Sequence, residues 1–284
     1  VLDNFYTPGS VSADGLFWSF AGMANDYVEK LWPAVAAGRL RSDPFAGNEP
    51  ARIPPAGFLW TNALSAGLSV RNYGIESGDP TLAPYTDKQY PGFDLSVPDG
   101  RRVDAFLADF QAKSAAGELP RLMFVYLPNS HTAGRTSGFP TAKAMIAEHD
   151  YALGRLVEGV SQSAAWEKTL IVIAQDDAQD GADHVDSHRS ICLLAGPWVR
   201  RGVRDSNLYS SLSALRTIEF VLGLQPMSQF DATARTFWRS LVEQPNAAPY
   251  QAVRPEQSFD EPNPEGSGGR VRRVEATDAL KASL

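Results

Sequence analysis

Thr169-Leu170-Ile171-Val172-Ile173-Ala174 is a short, unbroken apolar run, and it gives way at once to Gln175-Asp176-Asp177-Ala178-Gln179-Asp180-Gly181-Ala182-Asp183-His184-Val185-Asp186-Ser187-His188. A run of this length without polar alternation is the pattern of a strand buried on both faces. The same arrangement occurs upstream, where Leu122-Met123-Phe124-Val125-Tyr126-Leu127 is stopped by Pro128 and followed by Asn129-Ser130-His131-Thr132-Ala133-Gly134. Ser190–Ala195 gives a third strand. Helical patterns lie between and around these runs: about 17–31, Phe58–Leu64 closed by Gly67, Val103–Ser114, Pro140 to about 162, and Leu212–Leu222 closed by Gly223. Leu68–Tyr73 alternates as a further strand. Strands alternating with helices predict an α/β chain with a mostly parallel central sheet and helices on both faces, a three-layer α/β/α arrangement. In such sheets ligands bind beyond the carboxyl ends of the strands, which is where both polar clusters fall.

The segments 38–56 and 74–100 are rich in proline and glycine and are expected to be loops, of the kind that line a site. From about residue 244 the chain becomes Pro/Gly/Asn-rich and then basic. The expected organisation is one domain over 1–243 and a C-terminal tail over 244–284, with no internal repeat. Val1-Leu2-Asp3-Asn4-Phe5-Tyr6 has no initiator Met and no signal-peptide pattern, and it reads as a chain entered mid-domain. The composition, 43% hydrophobic and 21% charged over 284 residues, is that of a folded chain with a sizeable core. The 33 acidic and 26 basic residues give a net charge of −7, which repels a phosphate backbone and argues against a nucleic-acid partner. No apolar run approaches the roughly 18 residues of a membrane span. Cys192, the single cysteine, stands in Ile191-Cys192-Leu193-Leu194 and is read as a core thiol.

Five Asp and two His share the loop 175–188. Like charges at that density repel unless a cation neutralises them, and mixed carboxylate and imidazole donors suit Zn²⁺, Mn²⁺ or Fe. The plainer alternative is a solvated acidic loop with His188 capping a strand. His131 taken alone is an ordinary loop histidine, but its cluster also follows a buried strand and converges on the same sheet edge. His149 falls in a long helix and is read as a helix-face residue. Near the start, Val11-Ser12-Ala13-Asp14-Gly15 precedes the first helix, where Ser12 is either an N-cap or a nucleophile activated by a metal. Trp60, Tyr73, Tyr85 and Tyr90 either line an apolar leaving-group site or pack the core, and packing is the commoner use of aromatics at such spacings.

These segments, together with Asp3-Asn4-Phe5-Tyr6 and Ala63–Gly74, resemble the phosphoesterase branch of the alkaline-phosphatase superfamily, which includes phospholipase C and acid phosphatase relatives. The resemblance runs from residue 1 to about 250. It implies metal-dependent hydrolysis of phosphate mono- or diesters through a Ser12 phospho-enzyme. Carried over by position, Ser12 and His131 are catalytic, Gly15 and Asn129 bind substrate, and Asp176, Asp177, His184 and His188 hold a divalent metal (Zn, Mn or Fe). It further implies a small phosphate-ester substrate, a β-propeller elsewhere in the full-length protein, and a periplasmic or secreted location. Three departures mark the chain: the family's first strand is expected before Val1, Ser130 stands where relatives carry Asp, and Leu16-Phe17 stand where relatives carry His-Asn. The alternative they favour is a non-catalytic binding domain of the same fold with a degenerate metal site.

Overall fold

The computed structural model describes residues 1–37, 39, 49–178 and 186–265. Six strands and seven α-helices are formed among them: β1 (Leu2–Tyr6), α1 (Ser12–Ala21), α2 (Asp26–Ala36), α3 (Leu59–Ser65), β2 (Val70–Tyr73), α4 (Asp99–Ala116), β3 (Leu122–Val125), α5 (Ala142–Ser161), β4 (Ile171–Ala174), β5 (Arg189–Ala195), β6 (Tyr209–Ser210), α6 (Ser211–Leu222) and α7 (Gln229–Thr233). One sheet has the order β4-β5-β1-β6, and β2 pairs with β3 in another.

The layers follow from side-chain alternation along the strands. Val70, Leu122 and Phe124 pack with α1, α3 and α6 through Phe17, Trp60 and Leu215. Their neighbours Tyr73, Met123 and Val125 join Ile171 and Ile173 against Phe106, Phe110, Leu156 and Val160 of α4 and α5. Leu2, Phe5, Cys192 and Tyr209 pack against Ala214 of α6 and against Phe237. Helices therefore cover both faces of the strands, and the chain is α/β with three layers. Trp60, Tyr73 and Tyr90 are core residues. Burial pushes the Cys192 thiol up to about 12, which leaves it protonated and inert at neutral pH.

Three features differ from the sequence reading. The β2–β3 and β1–β6 pairs are parallel, but β5 is antiparallel to both β1 and β4. Antiparallel neighbours such as β4 and β5 need no helical crossover between them. Second, Leu2–Tyr6 is an interior strand that the reading did not recognise. A register shift between Leu2 and Phe5 lets residues three apart face the same core, which hides the strand's period of two. Third, the single helix expected over 17–31 is two. Gly22 at φ 71° closes α1, the Asn25 side chain accepts from Val28 N–H to start α2, and α2 continues through Pro33.

Residues 244–265 form an irregular strap. Tyr250 N–H donates to Ser161 Oγ, its ring meets Trp166 edge-on, and Asn263 directs its amide at the carbonyls of Gly134, Thr136 and Pro140.

A carboxyl pair ties the end of α1 to α6 and α7. Asp231 accepts from Met227 N–H, Ser228 N–H and Ser228 Oγ, and Ser228 Oγ also lies 2.9 Å from Gly22 O. Glu219, fully buried and hydrogen-bonded to Asp231, is pushed up to about 8 by burial and by the Asp231 carboxylate, against the pull of Arg216. A carboxyl whose folded pKa is raised is fully stabilising below its unfolded value of 4.5. That contribution declines as pH rises and is gone above about 8. Glu219→Gln, whose amide donates the same bond, is expected to flatten that slope. Between pH 5 and pH 9 wild type should lose on the order of a few kcal/mol relative to the variant in denaturation experiments. Parallel slopes for the two proteins would rule out the shared proton.

Candidate functional site

The carboxyl ends of β1 and β4 and the start of β5 lie at one sheet edge, because Tyr6 pairs with Arg189 and Ala174 with Cys192. From β1 the chain turns through Thr7–Val11 into α1. Asp14 holds that turn by accepting Ser10 N–H at 3.1 Å and Val11 N–H at 3.0 Å. Burial raises the Asp14 pKa, and these two hydrogen bonds oppose the rise. Ser12 is thereby fixed in the first turn of α1. Its Oγ donates to Asp177 Oδ2 at 2.9 Å, with Ser12 only 7% and Asp177 only 6% exposed.

Backbone contact sets this pairing. A Cβ on Gly15 would lie 2.3 Å from the Asp176 carbonyl oxygen, and one on Gly9 would lie 2.4 Å from Gly15 Cα. Only glycine permits three backbone segments to stack this closely. The structure thus sets Gly15 against the Asp176–Asp177 peptide, where it controls the depth at which α1 meets the acidic loop.

Past that contact, Asp176 is partly buried and Asp177 buried. His188 is half exposed; its Nδ1 is 3.0 Å from Asp186 Oδ1, and its carbonyl accepts Thr7 N–H at 2.9 Å. His184, Asp180 and Asp183 lie outside the described residues. Among the described residues no group of three or more His, Cys, Asp or Glu side chains is gathered closely enough to hold a metal ion.

Asn129 and His131 sit in a short helical turn, Pro128–His131, directly after β3. Asn129 is held by a buried ionic network. Its N–H donates to Asp99 Oδ2 at 3.0 Å, its Nδ2 to Val97 O at 3.0 Å, and its Oδ1 accepts from Arg102 at 3.4 Å. The side-chain amide is thus engaged inside the protein, where it anchors the turn that carries His131. The His131 ring stands edge-on to Phe93 with centroids 5.7 Å apart, and its Nδ1 lies 3.3 Å from Thr132 O. His149 does more than occupy a helix face, since its Nδ1 reaches Asp99 Oδ2 at 2.8 Å. Its neighbour Glu148 accepts Asp99 N–H and Gly100 N–H, capping α4 from another helix. The sequence reading missed Asp99, Arg102 and this use of His149. The only local signal was the three-residue spacing of Asp99 and Arg102 at a helix start.

A family model, type I phosphodiesterase / nucleotide pyrophosphatase, matches residues 24–232. The chain belongs to that family. The matched stretch contains both polar clusters, Asn129–His131 and Asp176–His188. Ser12 and Gly15 lie before it, and they reach the second cluster through the contacts just described. Among solved structures, a protein in the alkaline phosphatase superfamily from Vibrio parahaemolyticus is similar over 80% of this chain and 59% of its own, with 18% identity and a TM-score of 0.52. That likeness assigns the alkaline-phosphatase fold to this type I phosphodiesterase / nucleotide pyrophosphatase family member, which spans less than two thirds of that structure's length. No curated protein matches the chain.

Proposed function

We propose that the chain hydrolyses phosphate mono- or diesters through a phospho-enzyme formed on Ser12. The observation that carries this reading is the buried Ser12 Oγ–Asp177 Oδ2 hydrogen bond at the carboxyl edge of the sheet, in a chain of the phosphodiesterase family. The donor chemistry fits a divalent ion: Asp177 is buried at the head of the acidic loop, and Asp176, His184 and His188 complete the set of residues that would hold it. When bound, the ion would activate the serine oxygen and neutralise phosphoryl charge.

The chain's own groups divide the remaining work. Asp177 Oδ2 orients the Ser12 hydroxyl and takes its proton as Oγ bonds to phosphorus and the ester oxygen departs. His131 gives that departing oxygen its proton. Water then attacks the phosphoserine and gives a proton to the His131 ring, Asp177 returns its proton to Ser12 Oγ, and phosphate or, from a diester, the phosphate monoester leaves. Export from the cytoplasm and a β-propeller in the full-length protein belong to the same proposal and are supported by the resemblance alone. The second reading, a binding domain with a degenerate metal site, is favoured by Ser130, which stands where relatives carry Asp.

Elemental analysis of chelator-free protein, beside acid quenching during turnover of p-nitrophenyl phosphate and bis-p-nitrophenyl phosphate, separates the two. The hydrolase reading expects stoichiometric Zn, Mn or Fe and a phosphate adduct on the peptide carrying Ser12. Metal with no turnover, or turnover with no adduct, would overturn it.

A further inference from the structure

Thr132, directly after His131, stands at φ 58° and ψ 163°. It is the one non-glycine residue of positive φ among the described residues, and a β-branched side chain enters this region only under constraint. Such strain persists where the surroundings over-determine it. On the upstream side Asn129, anchored on Asp99 and Val97, accepts Thr132 N–H at 3.1 Å through its own carbonyl. On the downstream side Ala133 N–H meets Met145 Sδ of α5, and Thr132 Oγ1 accepts Gly134 N–H.

The remaining contacts come from far along the chain. The strap follows α5 backwards: Tyr250 sits at Ser161, Arg254 lies over the rings of Tyr151 and Phe259, and Glu261 O accepts Thr141 N–H at 2.7 Å. Asn263 N–H donates to Phe139 O at 3.0 Å. The Asn263 side chain, 8% exposed, places its Nδ2 3.0 Å from Gly134 O, 3.1 Å from Thr136 O and 3.1 Å from Pro140 O. Two N–H donors on one nitrogen thus draw three carbonyls of the loop after His131 to a single point. Because Gly134 follows so soon after Thr132, the strained peptide is held from both sides. Aspartate in the same place would keep the shape but set a carboxylate oxygen against those carbonyl oxygens.

We propose that Asn263 is a positioning residue for the hydrolysis: by gathering the carbonyls of Gly134, Thr136 and Pro140 it holds the strained Thr132 backbone and so fixes the His131 ring for proton donation to the departing oxygen. The inference rests on the reading of His131 given above. The clamp itself is a property of the fold and is measured without turnover.

Hydrogen exchange read by mass spectrometry on Asn263→Ala and Asn263→Asp tests the clamp. Peptides covering 129–141 should exchange about tenfold faster than in wild type, while those of β3 and α4 keep their rates. Kinetics test the positioning, through kcat/KM for phenyl phosphate, whose phenolate leaves poorly, beside p-nitrophenyl phosphate, whose anion leaves with little help. Both variants should lose about tenfold on the phenyl ester, part of what a well-placed general acid supplies, and less than about threefold on the nitrophenyl ester. His131→Ala should lose more on the phenyl ester, and adding Asn263→Ala to it should cost nothing further. Unchanged exchange over 129–141 would overturn the clamp whatever the kinetics. Faster exchange with equal losses on the two esters would make Asn263 a purely structural residue and overturn the positioning role. Absence of wild-type turnover, or a His131→Ala that discriminates between the esters no more than wild type does, would instead sink the reading of His131 and this inference with it, leaving the exchange result standing.

Discussion

Ser12→Ala is expected to bring hydrolysis of both nitrophenyl esters to the background rate while the protein remains folded. On the proposed mechanism the missing nucleophile has no substitute, so kcat should fall on the order of 10³-fold or more, with KM little changed. The stability cost is separate and smaller. Asp177, 6% exposed, loses its donor, and a hydrogen bond to a charged group is worth about 1.5–3 kcal/mol. Ser12→Ala should therefore melt a few degrees lower and still unfold cooperatively. Asp177→Asn provides the complementary test. Its amide oxygen still accepts from Ser12, but the carboxylate that takes the proton is gone, so it should be more stable than Ser12→Ala and comparably slow. Turnover by Ser12→Ala within about twofold of wild type would remove Ser12 from the chemistry.

How far this site was legible in the sequence depended on the range of the interactions involved. β3, β4, α5 and α6 announce themselves because their signals are local: a continuous apolar run for a strand, although β4 is only half-buried and its Ala174 exposed, and a 3.6-residue period for a helix packed on one face. The two polar clusters could be placed for the same reason, since each begins where such a run ends. β1 could not, because Asp3 and Asn4 interrupt its apolar positions and the register shift puts Leu2 and Phe5 on one face. The break at Gly22 was hidden by apolar residues that continue on both sides of it. Gly15 was singled out as a substrate-binding position, and its contact with the Asp176 carbonyl was not legible, because that carbonyl lies far along the chain. Least legible was the network on Asp99. Three of its members, Arg102, Asn129 and His149, come from α4, the turn after β3, and α5, and only the packing of α4 on α5 brings them together.

That network carries the largest stability prediction. Arg102→Met is expected to cost on the order of 3–5 kcal/mol, the range for breaking a buried ionic pair on one side. Both Arg102 and Asp99 are fully buried, with the guanidinium 3.1 Å from Asp99 Oδ1. The same guanidinium donates to the carbonyls of Pro91, Gly92, Asp94 and Val97 and thereby shapes the loop before α4. Methionine fills most of the stem's volume but satisfies none of those acceptors, and it leaves Asp99 with only the Asn129 N–H and the His149 ring. Lysine keeps the charge but not the planar fork, so Arg102→Lys should recover only part of the loss. Because Asp99 and Arg102 share partners, the loss in Arg102→Met with Asp99→Asn should fall short of the sum of the single losses, removing the charge that methionine strands. The functional consequence follows from Asn129. With its anchors weakened, the Pro128–His131 turn loses its fixed position, and the surviving folded Arg102→Met should turn over more slowly than its folded fraction accounts for. Urea denaturation of Arg102→Met, Arg102→Lys, Asp99→Asn and the double variant, read beside turnover normalised to folded protein, measures both effects. A loss below about 1 kcal/mol for Arg102→Met would mean that the loop and the turn are held by packing and not by this guanidinium.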